Sequence, residues 1–341
     1  MRDSAYSSNE DYIYASSRVR FFEKRLLSFE QLRRLFDAES VEEALRLLKE
    51  TPYGLRLKAS DSEADIERVL LEERERLFRE LEEAAPESPG LQLLTLEEDY
   101  HNLKVLFKKV VLGLDVDHIL LPFHSSEWLY YENILAAPGR NPAVTLREQA
   151  IDRLMKDWEK EHDPWRAELI LDHGMFQELR ELARRMDSEI VDEWIQKKID
   201  FYNLESYLRF LRLGVDASFF RAAFADGGSL HPDALLALYR EGREPEEKDY
   251  ERLGFTAELR EACDEYKKRG NPHVIEMLRT ESSWKLACRA ERLTYGPGVL
   301  FGYWLRRELE ITALRTLFIS LRSNLSREER RARLPLLRDG Y

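Results

Sequence analysis

Cysteine is the scarcest chemistry in this sequence, with Cys263 and Cys288 the two among 341 residues. One pair at most excludes a disulfide framework and a cysteine-rich zinc site, and it suits a reducing compartment. Long apolar runs are missing too: no stretch of about 18 apolar residues offers a membrane-spanning helix. Met1 to Tyr14 carries charge, Ser and Asn where a secretory signal needs an apolar stretch. Positive charge is in deficit, 53 Lys and Arg against 65 Asp and Glu, for a net charge of −12. General binding to nucleic acid or to an anionic membrane needs a positive field, so neither is expected as a partner. Glycine and proline, 15 and 12 in number, are too few to break the chain often. They gather at Pro86–Gly90, Pro138–Pro142 and Gly296–Gly298, and the pattern between these breaks is helical.

What is present is a soluble pattern, 43% hydrophobic and 35% charged, in a chain long enough for two or three cores. Ser28 with Gln31 and Ser40 with Glu43 have the capping-box spacing that starts a helix. The second leads into Val41, Ala44, Leu45 and Leu48, one helical face, which Thr51-Pro52-Tyr53-Gly54 ends. Ile66, Val69, Leu70, Leu77 and Leu81 recur at helical spacing among Glu and Arg, giving one buried stripe and a charge run read as surface. Apolar–polar alternation over strand lengths is scarce. Its best candidate, Val110 to Leu114, reads better as a helix end closed by Gly113. The fold class is therefore all-α.

Three segments align without a gap, starting at Asp99, Asp200 and Glu310. Each opens with an acid, has Asn102, Asn203 or Ala313 three residues on, and carries apolar residues at offsets 4, 7, 8 and 11. Those offsets lie on one helical face. At offset 14 stand Gly113, Gly214 and Asn324, the residue types that most readily take the left-handed conformation closing a helix. At offset 16 stand Asp115, Asp216 and Ser326, all competent to cap a following helix. Helical periodicity alone supplies the apolar matches, but the stops lie outside it. The spacing predicts three tandem homologous helical units, 1–115 with the N-terminal helices, 116–216 and 217–341. Asp99 with Asn102, and Asp200 with Asn203, form either a ligand site or buried groups that fix helix packing. Their repetition favours packing.

Candidate chemistry is sparse. His162-Asp163, with His118 or His124 and Asp200, has the residue types of a helical metal-dependent phosphohydrolase, in which imidazoles and carboxylates hold a divalent ion. The doublet precedes Pro164-Trp165, which reads as a turn, and zincin, P-loop, serine-hydrolase and dinucleotide signatures are missing. His173 and His273 read as hydrogen-bonded structural residues. Trp128, Tyr130, Tyr131, Tyr303 and Trp304 read as core or protein-interface anchors.

A wider set of residues carries a resemblance: Tyr12-Ile13-Tyr14-Ala15, Arg18, Arg20, Leu26-Leu27, Ala38 to Ala44, Thr51 to Gly54, the aligned segments, and Gly302 to Ile311. In this order, from about Tyr12 to Leu334, they resemble the C-type subunit of the rotary A/V-type ATPases, related to the d-type subunit of the eukaryotic enzyme. Ala313 stands where that family has Asn, so the third helix is expected to pack on apolar contacts instead of a polar network shared by all three segments. The resemblance implies a funnel of three similar units with pseudo-threefold symmetry. It further implies a non-catalytic central-stalk subunit, without cofactor, peripheral to the membrane on the cytoplasmic side. Its partners would be the central shaft subunits (D and F type) and the membrane proteolipid ring, and the link would couple ATP hydrolysis or synthesis to proton or sodium transport. The phosphohydrolase and a free-standing helical interaction scaffold are the alternatives.

Overall fold

The computed structural model describes residues 9–58, 65–86, 88–121, 128–139 and 142–333; His124, Arg140, Asn141 and Leu334 lie outside them. Among the described residues the chain is all-helical, without a strand. In chain order the helices are α1 (Ile13–Phe22), α2 (Phe29–Phe36), α3 (Val41–Lys49), α4 (Ile66–Ala84), α5 (Pro89–Val110) and α6 (Trp128–Ala136). There follow α7 (Leu146–Glu161), α8 (Pro164–Met186), α9 (Glu189–Leu213), α10 (Ala217–Ala223) and α11 (Pro232–Arg240). The last are α12 (Glu247–Leu253), α13 (Ala257–Arg269), α14 (His273–Ala290), α15 (Pro297–Arg322) and α16 (Arg327–Ala332). No described helix is long and apolar enough to cross a membrane.

Side-chain caps set several of the starts. Ser28 and Gln31 exchange both bonds of the capping box at α2. At α3 the exchange is incomplete: Ser40 Oγ accepts the Glu43 N–H at 3.2 Å, while the Glu43 carboxylate takes the Glu39 N–H at 2.8 Å instead of that of Ser40. Thr145 and Glu148 form a full box at α7.

Contacts gather the chain into two compact units. The repeat borders at 115 and 216 both fall inside the second of them, so compactness and sequence repetition divide the chain differently.

The first unit comprises Met1–Leu91, Ser188–Trp194 and Thr256–Tyr341. Its axis is α15, buried along its first half through Val299, Phe301, Tyr303 and Leu305, while its second half keeps Leu314, Leu317 and Phe318 inside and leaves Thr312, Arg315 and Ile319 exposed. A helix apolar over most of its circumference has to be covered, and α1, α3, α4 and α14 pack on it. A methyl group on Gly302 would collide with Ala290 Cβ, so the absence of a side chain there lets α15 lie close against α14. One expectation is corrected in this unit. Glu73 and Glu80 of α4 are not surface charges but buried; their spacing of seven places them on the same stripe as Ile66, Val69, Leu70 and Leu77, where arginines neutralise them.

The second unit comprises Gln92–Asp187 and Ile195–Phe255. Here α7 and α8 pair closely, with Gly174 of α8 leaving a gap that a methyl group would fill 2.6 Å from Ala150 Cβ. Tyr207 of α9 meets Phe220 and Tyr239 edge-on at 5.4 and 5.5 Å, and those two rings stack at 4.5 Å.

Gly302→Ala tests the close contact in the first unit. Overpacking of this kind is expected to lower stability by about 1–3 kcal/mol, read as a lower midpoint in denaturant unfolding with helix content unchanged in buffer.

Candidate functional site

The aligned acids and asparagines lie inside α5, α9 and α15, and the structure gives each a partner. Asn102 donates from Nδ2 to the Leu121 carbonyl at 3.1 Å, and its Oδ1 accepts the Leu121 N–H at 2.9 Å. Asn203 does the same to Ala225, at 2.8 Å for both bonds. A primary amide presents one donor and one acceptor side by side, so it pairs with the free edge of an extended peptide as a neighbouring strand would. Both asparagines are fully buried, and both grip chain that follows their own helix, 19 and 22 residues downstream.

The acids find different donors. Asp200 accepts the N–H groups of Ser229 at 2.7 Å and Leu230 at 3.1 Å, and the Ser229 hydroxyl at 2.8 Å. Burial still pushes its pKa above the ordinary carboxylate value, against the pull of those donors. Asp99 instead pairs with Arg147 at 3.1 Å; that guanidinium also binds Glu178 at 3.1 Å and lies over the rings of Tyr100 and Tyr131.

Gly113, Gly214 and Asn324 have φ of 67, 65 and 52°. Beyond them the Val215 N–H bonds the Phe210 carbonyl and the Leu325 N–H the Ser320 carbonyl, both at 3.0 Å, which closes the helix ends. The first segment ends more loosely, with Leu114 N–H reaching one residue further back, to Lys108, at 3.1 Å. Asp216 Oδ1 then accepts the Ser218 N–H to start α10, and Ser326 Oγ accepts the Glu329 N–H to start α16. Asp115 does not act as the expected cap: the turn after it, Asp117–Ile119, begins from Val116 with no side-chain cap.

The third segment departs from the apolar packing expected around Ala313. Ala313 is buried, but Glu310 lies at the centre of a charged cluster. Its Oε2 accepts the Leu27 N–H at 2.7 Å, and its Oε1 accepts the Tyr53 hydroxyl at 2.8 Å and Arg307 Nη1 at 2.6 Å. The other arm of Arg307 pairs with Glu73. Arg56 and Arg76 also pair with Glu73, at 3.4 and 2.8 Å, and Tyr303 donates to Glu80 at 2.9 Å. Arg307, Glu73 and Glu310 are 1, 1 and 3% exposed. Burial opposes the Arg307 charge, yet Glu310, the two tyrosines and Glu73 hold its pKa above the ordinary value. Burial pushes the Tyr53 phenol well up. Sequence reasoning missed Arg307, Glu73 and Glu80. The available sign was Arg307 with Glu310, one turn apart on the same face of α15 as apolar neighbours such as Tyr303 and Leu314.

The residues of the metal hypothesis are not brought together. His162 closes α7 in the left-handed region, φ 50°, with its ring 5.3 Å from Trp158. Asp163 Oδ1 accepts the Trp165 N–H at 2.9 Å to cap α8, and Asp200 is engaged with Ser229 and Leu230. His118 lies in the turn Asp117–Ile119. Among the described residues no group of three His, Cys, Asp or Glu could hold a metal ion.

One end of the second unit has the character of a docking surface. Lys108 near the end of α5 pairs with Glu168 of α8 at 2.7 Å, and Phe107 meets Trp158 at 5.2 Å. On the other flank Phe219 of α10 touches Phe210 of α9 and Trp165 of α8 at 5.6 and 5.9 Å. The stops at Gly113 and Gly214 therefore lie at the same end, where Leu114, Trp165 and Leu213 are 49, 50 and 58% exposed. Large apolar side chains left open together mark interaction surfaces.

Arg307→Met is expected to destabilise the first unit by about 3–5 kcal/mol, because it removes the buried positive charge shared by Glu73 and Glu310. Adding Glu73→Gln and Glu310→Gln to it is expected to recover part of that loss. Denaturant titration of the single and triple variants checks both.

Comparison with known proteins gives wide matches. The profile of the ATP synthase (C/AC39) subunit matches residues 15–333. The C subunit of the V-type sodium ATPase of Enterococcus hirae is 24% identical over 323 residues, covering 93% of this chain and 95% of its own length. The C subunit of the A-type ATP synthase of Methanocaldococcus jannaschii is 23% identical over 345 residues, covering 95% of this chain and 86% of its own.

Proposed function

Because this chain belongs to the ATP synthase (C/AC39) subunit family, we propose that it is the central-stalk socket of a rotary V/A-type ATPase. In this role it joins the central shaft to the membrane proteolipid ring, so that ATP turnover and proton or sodium movement are linked. The observation that carries this reading is the family match from residue 15 to residue 333.

The role is mechanical, not catalytic. Three of the candidate metal-binding side chains are taken up in structure: His162 and Asp163 join α7 to α8, and Asp200 binds backbone. What such a part needs is stiffness and a surface. Stiffness has support in α15, buried along its first half and tied by Arg307 to α4 and by Glu310 to Leu27 and Tyr53. The surface is the end of the second unit with Leu114, Trp165 and Leu213, which we assign to contact with the shaft or the ring. The protein sits on the cytoplasmic side, peripheral to the membrane.

The double variant Trp165→Glu, Leu213→Glu tests this assignment, since both side chains are half open and their loss leaves the cores intact. Expected is normal helix content and melting, with loss of co-purification of the chain with the shaft and ring subunits from its native complex. Unchanged assembly, together with cross-links from the native complex that avoid residues 113–121 and 213–219, would overturn it.

A further inference from the structure

We propose that residues 27–54 correspond to the trailing part of the third repeat, placed ahead of the first repeat in the sequence, and that α2 and α3, held between the fixed anchors Leu27 and Tyr53, close the first unit as a strap that can detach between those anchors. The order of elements after α9, set beside the order after α15, carries this independently of the family assignment.

In the second unit the chain runs α9, stop at Gly214, α10, then a loop whose Ser229 and Leu230 N–H groups bind Asp200, then α11 and α12. In the first unit it runs α15, stop at Asn324, then α16, the last helix among the described residues. The carboxylate equivalent to Asp200 is Glu310, and the backbone N–H it accepts is that of Leu27. From Leu27 the chain forms α2 and then α3, two short helices, as it forms α11 and α12 from Leu230. Matching Leu27 to Leu230 sets Leu32 on Leu235, Leu35 on Leu238 and Phe36 on Tyr239, all buried. α16 packs on α2 as α10 packs on α11.

Two details fit the match. First, Asn203 binds both backbone groups of Ala225, five residues before Leu230, in extended chain. Five residues before Leu27 is Phe22, the last residue of α1, in a segment that is helical on both sides. A helical backbone satisfies its own polar groups, so the third repeat has no edge for an asparagine to bind and carries Ala313. Second, the carbonyl just after each stop needs a donor. In the second unit the Tyr239 hydroxyl supplies it to Val215 at 2.6 Å. Phe36 has no hydroxyl, and Arg330 supplies it instead, from Nη1 to the Leu325 carbonyl at 2.6 Å, while Nη2 binds the Ala38 carbonyl at 2.6 Å.

Where the second unit has a continuous chain between α10 and α11, the first has charged fasteners. Besides Arg330 on Ala38, both Arg327 and Arg331 pair with Asp37 at the end of α2. In the second unit the signs are reversed, with Arg240 at the end of α11 acting on Asp216 at the start of α10. Contacts that replace a covalent connection can open without unfolding the rest, and half-exposed ion pairs weaken with salt.

The match is tested by a double-mutant cycle on the intact chain, with melting temperature as the readout. Arg330→Ala is expected to lower it by removing the donor to Leu325, and Phe36→Tyr alone to lower it by overfilling a packed site. Combined, the new hydroxyl has room to reach the Leu325 carbonyl as Tyr239 reaches Val215, so the pair is expected to lose clearly less than the sum. A loss equal to the sum or larger overturns the match. Detachment is tested by amide hydrogen exchange. Arg327→Ala with Arg331→Ala, the first exposed and the second part-buried, is expected to speed exchange in α2 and α3 several-fold and to leave α4, α14 and α11 unchanged; added salt does the same to the parent protein. Exchange in α2 and α3 that stays in step with α4 and α14 in both proteins overturns the strap.

Discussion

A carboxylate buried in a helix has to be met by donors or by positive charge, and that demand places much of this chain. Asp200 takes two backbone N–H groups and a hydroxyl, Asp99 takes an arginine, and Glu310 takes a backbone N–H, a phenol and an arginine. In each case the acid determines what lies beside the helix. An unmet carboxylate in the interior is far more unfavourable than any single apolar contact is favourable. The chain around α9 and α15 is therefore held in register by polar groups, while apolar burial supplies the bulk of the stability.

The part of this that was legible in the sequence is the part written locally. Period and cap spacing mark α2, α3 and α4, and a glycine or asparagine after an apolar face marks where α5, α9 and α15 give way. The partners of the acids were not legible, because a hydrogen bond such as Leu27 to Glu310 joins residues 283 apart and leaves no periodic trace. The charges of α4 were read as solvated because Glu is common on surfaces. Glu73 and Glu80 nevertheless lie on the stripe that Val69, Leu70 and Leu77 define, and that coincidence was available. The His162-Asp163 doublet misled in the opposite sense: its residue types suit a metal, but a left-handed His followed by a capping Asp is how this chain turns from α7 into α8.

Membership of the C/AC39 family gives these local facts a setting. In the proposed role, a subunit under mechanical load gains from interior charge. Apolar surfaces slide over one another with little directional preference, whereas the Arg307 cluster fixes angle and register among α4, α15 and the chain near Leu27 and Tyr53. The proposed strap adds a second scale, since the same unit is then rigid at its centre and separable at its edge.

The helix stops bear on descent. A methyl group added at Gly113 or Gly214 would meet nothing within 4 Å, so nothing crowds these positions, and what each enforces is a backbone angle. Asn324 holds nearly the same angle with a side chain present. A position constrained by a dihedral and not by volume can change its residue while its geometry is kept, so copies of one ancestral segment can drift out of mutual recognition by letter and still agree in torsion. Distances between such copies are better measured in degrees than in identities.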